Sequence, residues 1–356
     1  MRFTEAKSAS RVLPKRLPAL DGLRGLLALS VAYSHSFGHI LGWQDSYSPI
    51  KNGAYAVDVF FILSGIVLYH AYKHRFDESE RPIKNFVLVR FFRLWPTHIV
   101  TLVLVFVAFL LTQGILLPGW VKVHNSVKGV ALDSALLSSL GLFGNYGSVN
   151  QPSWSISVEM WAGSLVMLAF FRSWIFAVPL VVLGASVLIQ PDISVKDGGG
   201  GQYLAFSSGV WRCVFGMSLG VLVYKFFERM KVRLNVPVLN VLSAAVFVII
   251  AAFVIGYSPT KWQYIVATIL VAVGVMCLPF SQGWTFQLLE NSAIRRLGEL
   301  SFSVYLLHTP VIYFLLPFKG YGEFANVLLA HLAIAISLGL SVYLNKHVEK
   351  KFAYKW

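Results

Sequence analysis

Residues 17–40 read LPALDGLRGLLALSVAYSHSFGHI. The run is long enough to cross a bilayer, for which about 20 apolar residues suffice. It nevertheless carries Asp21, Arg24, His35 and His39. Arg24 and His35 are 11 residues apart; at about 3.6 residues per turn they fall roughly 20° off one line, with about 16 Å of rise between them. Asp21 and His39 lie within about 40° of His35 on the same wheel. Lipid cannot solvate such a stripe, so it must face other helices or a water-filled cavity. A polar seam between neighbouring helices and a functional path both meet that demand. Arg24 is expected near one membrane face and His35 deeper.

The rest of the chain fits a membrane bundle. Of its 356 residues 56% are apolar and 13% are charged, and the mean hydropathy is +0.66. Soluble domains carry ~25% charged residues, so the polar shell of a soluble globule is missing here. Aromatic residues make up 15% of the chain, which excludes disorder. Ten segments are expected to span: 17–40, 54–72, 94–115, 153–171, 174–190, 203–224, 237–256, 263–280, 298–316 and 324–345. Only Arg172 and Ser173 separate the fourth from the fifth, which form either a tight helical hairpin or one broken element. The expected fold class is all-α, a polytopic bundle over 17–345 between basic tails at 1–16 and 346–356.

The net charge is +14. With the N-terminus inside, the segments on that side hold 23 Lys and Arg and the outer loops hold 6, Arg212 lying within a helix. That asymmetry follows the positive-inside rule and places both termini in the cytoplasm. It also accounts for the basic balance without a nucleic-acid partner. The first apolar run is too polar, and lacks the cleavage site, for a signal peptide. Cys213 and Cys277 sit singly in apolar runs and form no framework. The Gly198–Gly201 run has no following Lys-Ser/Thr and reads as a turn, not a phosphate loop. Loop 116–152, rich in Gly, Ser and Asn, is expected outside.

Further ionisable residues fall inside expected spans. Asp58 lies about one turn into the second. Arg90 and Arg93 share a face at the cytoplasmic start of the third. Topology alone puts arginines there, and a pair of guanidinium forks aimed alike also suits a phosphate-bearing ligand. Glu159 sits about two turns into the fourth, after Trp154; Trp154 and Trp161 suit an aromatic belt. Arg212 is in the sixth. Asp58, Glu159, Arg212 and His35 are expected to meet in one outer-half cavity, where an arginine lowers the cost of burying two carboxylates. Tyr305 and His308 share a face of the ninth, as helix contacts or as site residues. The other histidines (His70, His74, His98, His124, His331 and His347) are placed at helix ends or in loops and given no role. No HExxH, GxSxG, Walker lysine or Cys/His cluster occurs, so metal catalysis and serine hydrolase chemistry have no residue support.

Several pieces, in this order, resemble the membrane-bound acyltransferase 3 family. They are Leu20-Asp-Gly-Leu-Arg-Gly25 with His35 beyond it, Val57-Asp-Val-Phe-Phe-Ile-Leu-Ser-Gly65, Arg90-Phe-Phe-Arg93 ahead of Pro96, and Ser153-Trp-Ser-Ile-Ser-Val-Glu159. Leu297-Gly-Glu-Leu-Ser-Phe-Ser-Val-Tyr-Leu-Leu-His308 and Val348-Glu-Lys-Lys-Phe352 complete the set. The tail departs from the pattern in having Lys350-Lys351 where many members have a proline. The resemblance covers nearly the whole chain. It implies transfer of an acyl group, most often acetyl from acetyl-CoA, to a hydroxyl of a carbohydrate or glycolipid at the bacterial inner membrane. It implies His35 as catalytic histidine, Arg24 as its motif partner, and Arg90 and Arg93 as coenzyme A phosphate contacts. The hydrolase-like domain that some members carry after the bundle is expected to be absent.

On that basis acyl-CoA enters from the cytoplasm and the acceptor from outside. His35 acts as base or as transient acyl carrier, with Asp58 or Glu159 expected to orient it. Arg212, Trp154 and Tyr305 stand as candidate substrate contacts, and no metal is expected. Two rivals from other classes are a glycan transporter using the polar stripe as its path and a non-catalytic scaffold. Acceptor identity, an alternative donor such as succinyl-CoA and oligomeric state are left open.

Overall fold

The structure, a computed structural model, describes residues 17–42, 49–112, 126–144, 147–195, 201–230, 235–320, 322–354 and 356. The expected tail 1–16 and residues 198–200 of the glycine run lie outside the described residues.

Each of the ten expected segments coincides with a helix. The helices are α1 (Pro18–Ile40), α2 (Gly53–Glu78), α3 (Pro82–Leu111), α4 (Val127–Ser134), α5 (Ser153–Arg172) and α6 (Ala177–Leu188). They continue with α7 (Ser208–Met230), α8 (Val236–Ile255), α9 (Lys261–Cys277), α10 (Trp284–Glu290), α11 (Ser292–Leu315) and α12 (Glu323–Leu344). Strand among the described residues is confined to a hairpin of Gln202–Tyr203 with Phe206–Ser207. Pro18 and Pro82 open α1 and α3, where the missing N–H costs nothing. Thr260 and Gln263 close a capping box at the start of α9.

Among the described residues eight helices are long and apolar enough to cross a membrane. They are α2, α3, α5, α7, α8, α9, α11 and α12, so the fold is an all-α polytopic membrane protein. The two other expected segments differ in kind. α1 has the length, 23 residues, but carries the polar stripe. Trp174–Leu188 is apolar but shorter, about 22 Å at ~1.5 Å per residue. Ser173, extended at φ −154° and ψ 120°, breaks the chain between α5 and α6, and α6 turns away to pack on α7. The fourth and fifth expected segments are therefore a broken element. α11 is the centre of the bundle, with 83% of its spanning window buried, whereas α8 and α12 bury 33% and turn Val241, Val248, Leu328 and Leu340 outward.

Two pairs of parallel helices organise the interior. α1 runs beside α11, and they touch through glycines: a β-carbon on Gly25 would stand 2.6 Å from the backbone nitrogen of Gly298. Only small residues allow backbones so close, and such approaches replace the hydrophobic drive that lipid removes. α2 runs beside α7 in the same manner, with Gly65 against Met217 and Gly220 against Ile62.

Two expectations are sharpened. α3 begins at Pro82, well before residue 94, and Pro96 sits inside it without ending it. Arg90 is therefore more than two turns into a helix, and it is packed against other helices at 2% exposure. The second concerns loop 116–152. Its last part returns into the bundle: Leu136, Ser138, Ser148, Val149 and Asn150 are all buried. Irregular backbone is tolerated at depth only where protein satisfies its polar groups. Asp133 does much of that, accepting hydrogen bonds from the Val149 N–H at 2.9 Å and from Ser138 Oγ at 3.1 Å. Asn150 Nδ2 donates to the Leu306 carbonyl of α11 at 3.0 Å and to Thr101 Oγ1 of α3 at 3.1 Å. α5 thus starts inside the bundle.

Candidate active site

Of the stripe on α1, Arg24, His35 and His39 are partly buried among other helices, whereas Asp21, in the first turn, is exposed. Arg24, partly exposed, lines a narrow cavity of about 40 Å³ together with Ser64, Glu159, Ser301 and Tyr305, against Phe60 and Phe302. At about 10–15 Å³ per water such a space admits roughly three waters. Arg24 feels the charges of Glu159, Asp21 and Glu349 and of a second cation, Arg93. Further along α1, His35 Nδ1 lies 2.8 Å from His308 Nε2 of α11, the two rings 5.0 Å apart at their centroids. One turn beyond, His39 Nε2 meets Gln151 Oε1 of the returning loop at 2.9 Å. Tyr305 joins the two ends of this axis. It lines the cavity, its hydroxyl is 2.9 Å from Ser155 Oγ, and its ring stands against His308.

The carboxylates expected beside His35 are placed elsewhere. Asp58 is held in two hydrogen bonds by Arg212, whose Nε donates to Oδ1 at 2.8 Å and Nη2 to Oδ2 at 3.0 Å. Both side chains are fully buried, and Arg212 Nη2 also donates to the Ala54 carbonyl at 2.8 Å. Trp154 is buried beneath this guanidinium, 5.1 Å from ring centre to Arg212 Cζ, and is not part of a surface aromatic belt. The Asp58–Arg212–Trp154 group ties α2, α7 and α5 together. Its physical cause is the parallel packing of α2 and α7, which sets the two charges opposite each other.

Glu159 belongs to a second group. Arg90 Nη1 donates to its Oε1 at 3.1 Å and Nη2 to its backbone carbonyl at 2.8 Å, while Ser64 Oγ donates to Oε1 at 2.9 Å. α5 makes a π-helical turn at Glu159–Gly163, a distortion that re-aims side chains and frees carbonyls. Arg90 is thus occupied by Glu159. The expected gathering of Asp58, Glu159, Arg212 and His35 in one cavity resolves into two arginine–carboxylate pairs and a histidine pair.

Several contributors were missed by sequence reasoning. His308 was grouped with Tyr305 on a shared face, and nothing in its spacing showed that the face meets His35. Gln151 and Asn150 fall in a loop read as external. Glu349, quoted in the terminal motif without a role, folds back in a π-helical turn at Asn345–Glu349 and accepts from Ser303 Oγ at 3.0 Å. His98, placed at a helix end by sequence, is buried within α3 with Nε2 2.8 Å from the Asp133 carbonyl. Among the described residues no three His, Cys, Asp or Glu side chains gather as a metal site.

Fold and site together define a polytopic α-helical membrane protein with a polar axis buried between its first and last-but-one helices. The profile described as an acyltransferase domain matches residues 17–346, and the chain belongs to that family, acyltransferase 3. It is similar to the peptidoglycan O-acetyltransferase OatA of Listeria monocytogenes, 23% identical over 336 residues, covering 86% of this chain and 51% of the relative. It is also similar to the putative peptidoglycan O-acetyltransferase YrhL of Bacillus subtilis, 25% identical over 364 residues, covering 92% of this chain and 54% of the relative. A third relative is acyltransferase MdmB of Streptomyces mycarofaciens, 32% identical over 149 residues, covering 40% of this chain and 36% of the relative. The chain spans about half the length of the first two relatives. No solved structure matches.

Proposed function

We propose that the chain is a multi-pass O-acyltransferase of the bacterial inner membrane. It moves an acyl group, acetyl in the first instance, from acyl-CoA to a hydroxyl of an extracytoplasmic or lipid-linked carbohydrate. The observation that carries this reading is the placement of Arg24 and His35 on one face of α1, with the cavity beside the first and Tyr305 leading toward the second. A cationic anchor and a base about 16 Å apart along a helix suit a donor whose phosphates and thioester are joined by a long arm. Two relatives are named for peptidoglycan O-acetylation, which supports a glycan hydroxyl of that kind as acceptor.

In this reading Arg24 and Arg93 hold the donor phosphates through charge-assisted hydrogen bonds. Arg90 acts indirectly, by fixing Glu159 in the cavity wall. The donor arm passes Ser301 and Tyr305 and brings the thioester to His35. His35 takes the hydroxyl proton as the oxygen attacks the acyl carbon, the carbon–sulfur bond breaks, and the proton passes to the departing thiolate. Asp58, Arg212 and Trp154 support the bundle and touch no reacting atom.

The test is mass spectrometry of envelope glycans from cells with and without the gene. Loss of an acetyl mass from one glycan species on deletion, restored by the wild-type gene and not by His35→Ala, is expected. An unchanged envelope, with no binding of acetyl-CoA to the purified protein, would refute the reading.

A further inference from the structure

His308 is buried at 1% exposure in the most buried helix of the bundle, and it is polar at a place where lipid-facing chemistry gives no reason for a polar group. Its two ring nitrogens have different partners. Nδ1 lies 3.2 Å from the Val304 carbonyl, one turn back on its own helix. Nε2 lies 2.8 Å from His35 Nδ1. A carbonyl can only accept, so His308 Nδ1 carries a proton. In a neutral imidazole the other nitrogen is then an acceptor, and His308 Nε2 receives the hydrogen bond that His35 Nδ1–H donates. The lone pair of His35 is thereby fixed on Nε2, the nitrogen turned away from His308.

We propose that His308 is the positioning residue of the transfer reaction, holding His35 in the Nδ1–H tautomer and accepting part of the charge formed there. The inference rests on the acyl-transfer reading of His35. In a serine hydrolase triad a carboxylate plays this part; here a neutral imidazole occupies the place. When the acceptor oxygen bonds to the acyl carbon, its proton goes to His35 Nε2. The Nδ1 proton moves toward His308 Nε2, and the charge is shared with a ring whose Nδ1–H already rests on the Val304 carbonyl. As the carbon–sulfur bond breaks the shift reverses, and His35 Nε2 gives the proton to the coenzyme A thiolate. No carboxylate has to be carried into the bilayer interior, where its burial is costly. Tyr305, one turn before His308 on the same helix, holds that face against α5 through Ser155.

The proposal is tested in membranes from cells expressing the full chain, supplied with radiolabelled acetyl-CoA, by following label entering envelope material. His308→Phe keeps the ring volume and removes the acceptor; His308→Gln keeps an oxygen that can accept from His35 Nδ1. The expected result for His308→Phe is a loss of kcat of about 100-fold or more, the scale of general-base catalysis, with the KM for acetyl-CoA within about twofold. His308→Gln is expected to recover at least a tenth of the wild-type kcat. Equal activity of the two variants, or a loss confined to KM, would overturn the proposal. A purely structural His308 would make the two variants fail together with loss of folded protein. A second measurement needs no variant: nitrogen-15 spectra of the wild-type protein are expected to show His35 protonated at Nδ1, and protonation at Nε2 alone would overturn the assignment. Wild-type membranes that incorporate no label, or His35→Ala membranes that do, would instead refute the acyl-transfer reading itself.

Discussion

Gly25 of α1 packs against Gly298 of α11, and ten residues further along both helices His35 meets His308. The two contacts share one register, so the glycine crossing sets the spacing at the histidine pair. A side chain at either glycine would wedge the helices apart. Overpacking of this kind costs about 1–3 kcal/mol. Gly298→Val is expected to lower the melting temperature in detergent moderately and to reduce acetyl transfer more than stability alone explains. Wild-type transfer by a folded Gly298→Val protein would show that the helix spacing does not matter.

The two arginines of the Arg90-Phe-Phe-Arg93 pair should separate under mutation. Arg90→Ala removes the arginine partner of Glu159, which is 17% exposed and keeps its Ser64 hydrogen bond, so the cost approaches, without reaching, the ~3–5 kcal/mol of a fully buried pair. Its expected signature is poor yield and early thermal unfolding. Arg93 is partly exposed, so Arg93→Ala is expected to fold normally and to raise the KM for acetyl-CoA several-fold with little change in kcat. Thermal melts and donor titrations of both variants check this, and a reversed pattern would return the donor phosphates to Arg90.

Asp58 is the carboxylate whose assignment the structure changes most. Asp58→Ala strands Arg212 in the interior and should destabilise at least as strongly as Arg90→Ala. Replacing both, Asp58→Leu with Arg212→Met, removes the uncompensated charge and is expected to restore most of the thermal stability. The doubly substituted protein should still transfer acetyl groups. If it folds and is inactive, Asp58 or Arg212 takes part in the chemistry.

The returning loop offers an independent check. Asp133 holds Val149 and Ser138, and Asn150 bridges to α11 and α3. Asn150→Leu leaves the Leu306 carbonyl without its side-chain donor, and a buried polar group stranded in this way costs about 1–3 kcal/mol. Protease cleavage within 135–152 should become faster in this variant than in the wild type. An unchanged cleavage rate would show that Asn150 does not hold the loop in the bundle.

The fold class, the positions of the apolar segments and the inward placement of Arg24 and His35 were legible because lipid makes polar placement strict: a 23-residue helix bearing Arg24 and His35 has one face that can be buried. Pairing between helices was not. Whether Asp58 meets His35 or Arg212 depends on which glycine faces bring α2 to α7, and hydropathy carries no record of that. The burial of Arg90 was not legible because α3 begins at Pro82, well before the apolar run from residue 94 that reads as a span. That the end of loop 116–152 packs into the bundle was not legible, because its Ser and Asn content suits water as well as it suits a buried backbone satisfied by Asp133.

The central claim, that donor anchoring and proton transfer occupy opposite ends of one axis on α1, is tested most directly on purified His35→Ala protein. Its affinity for acetyl-CoA is measured by equilibrium binding beside its rate of acetyl transfer in membranes. Binding close to wild type with transfer lost by about 100-fold or more is the expected result. Transfer at the wild-type rate, or loss of acetyl-CoA binding in a folded protein, would contradict it.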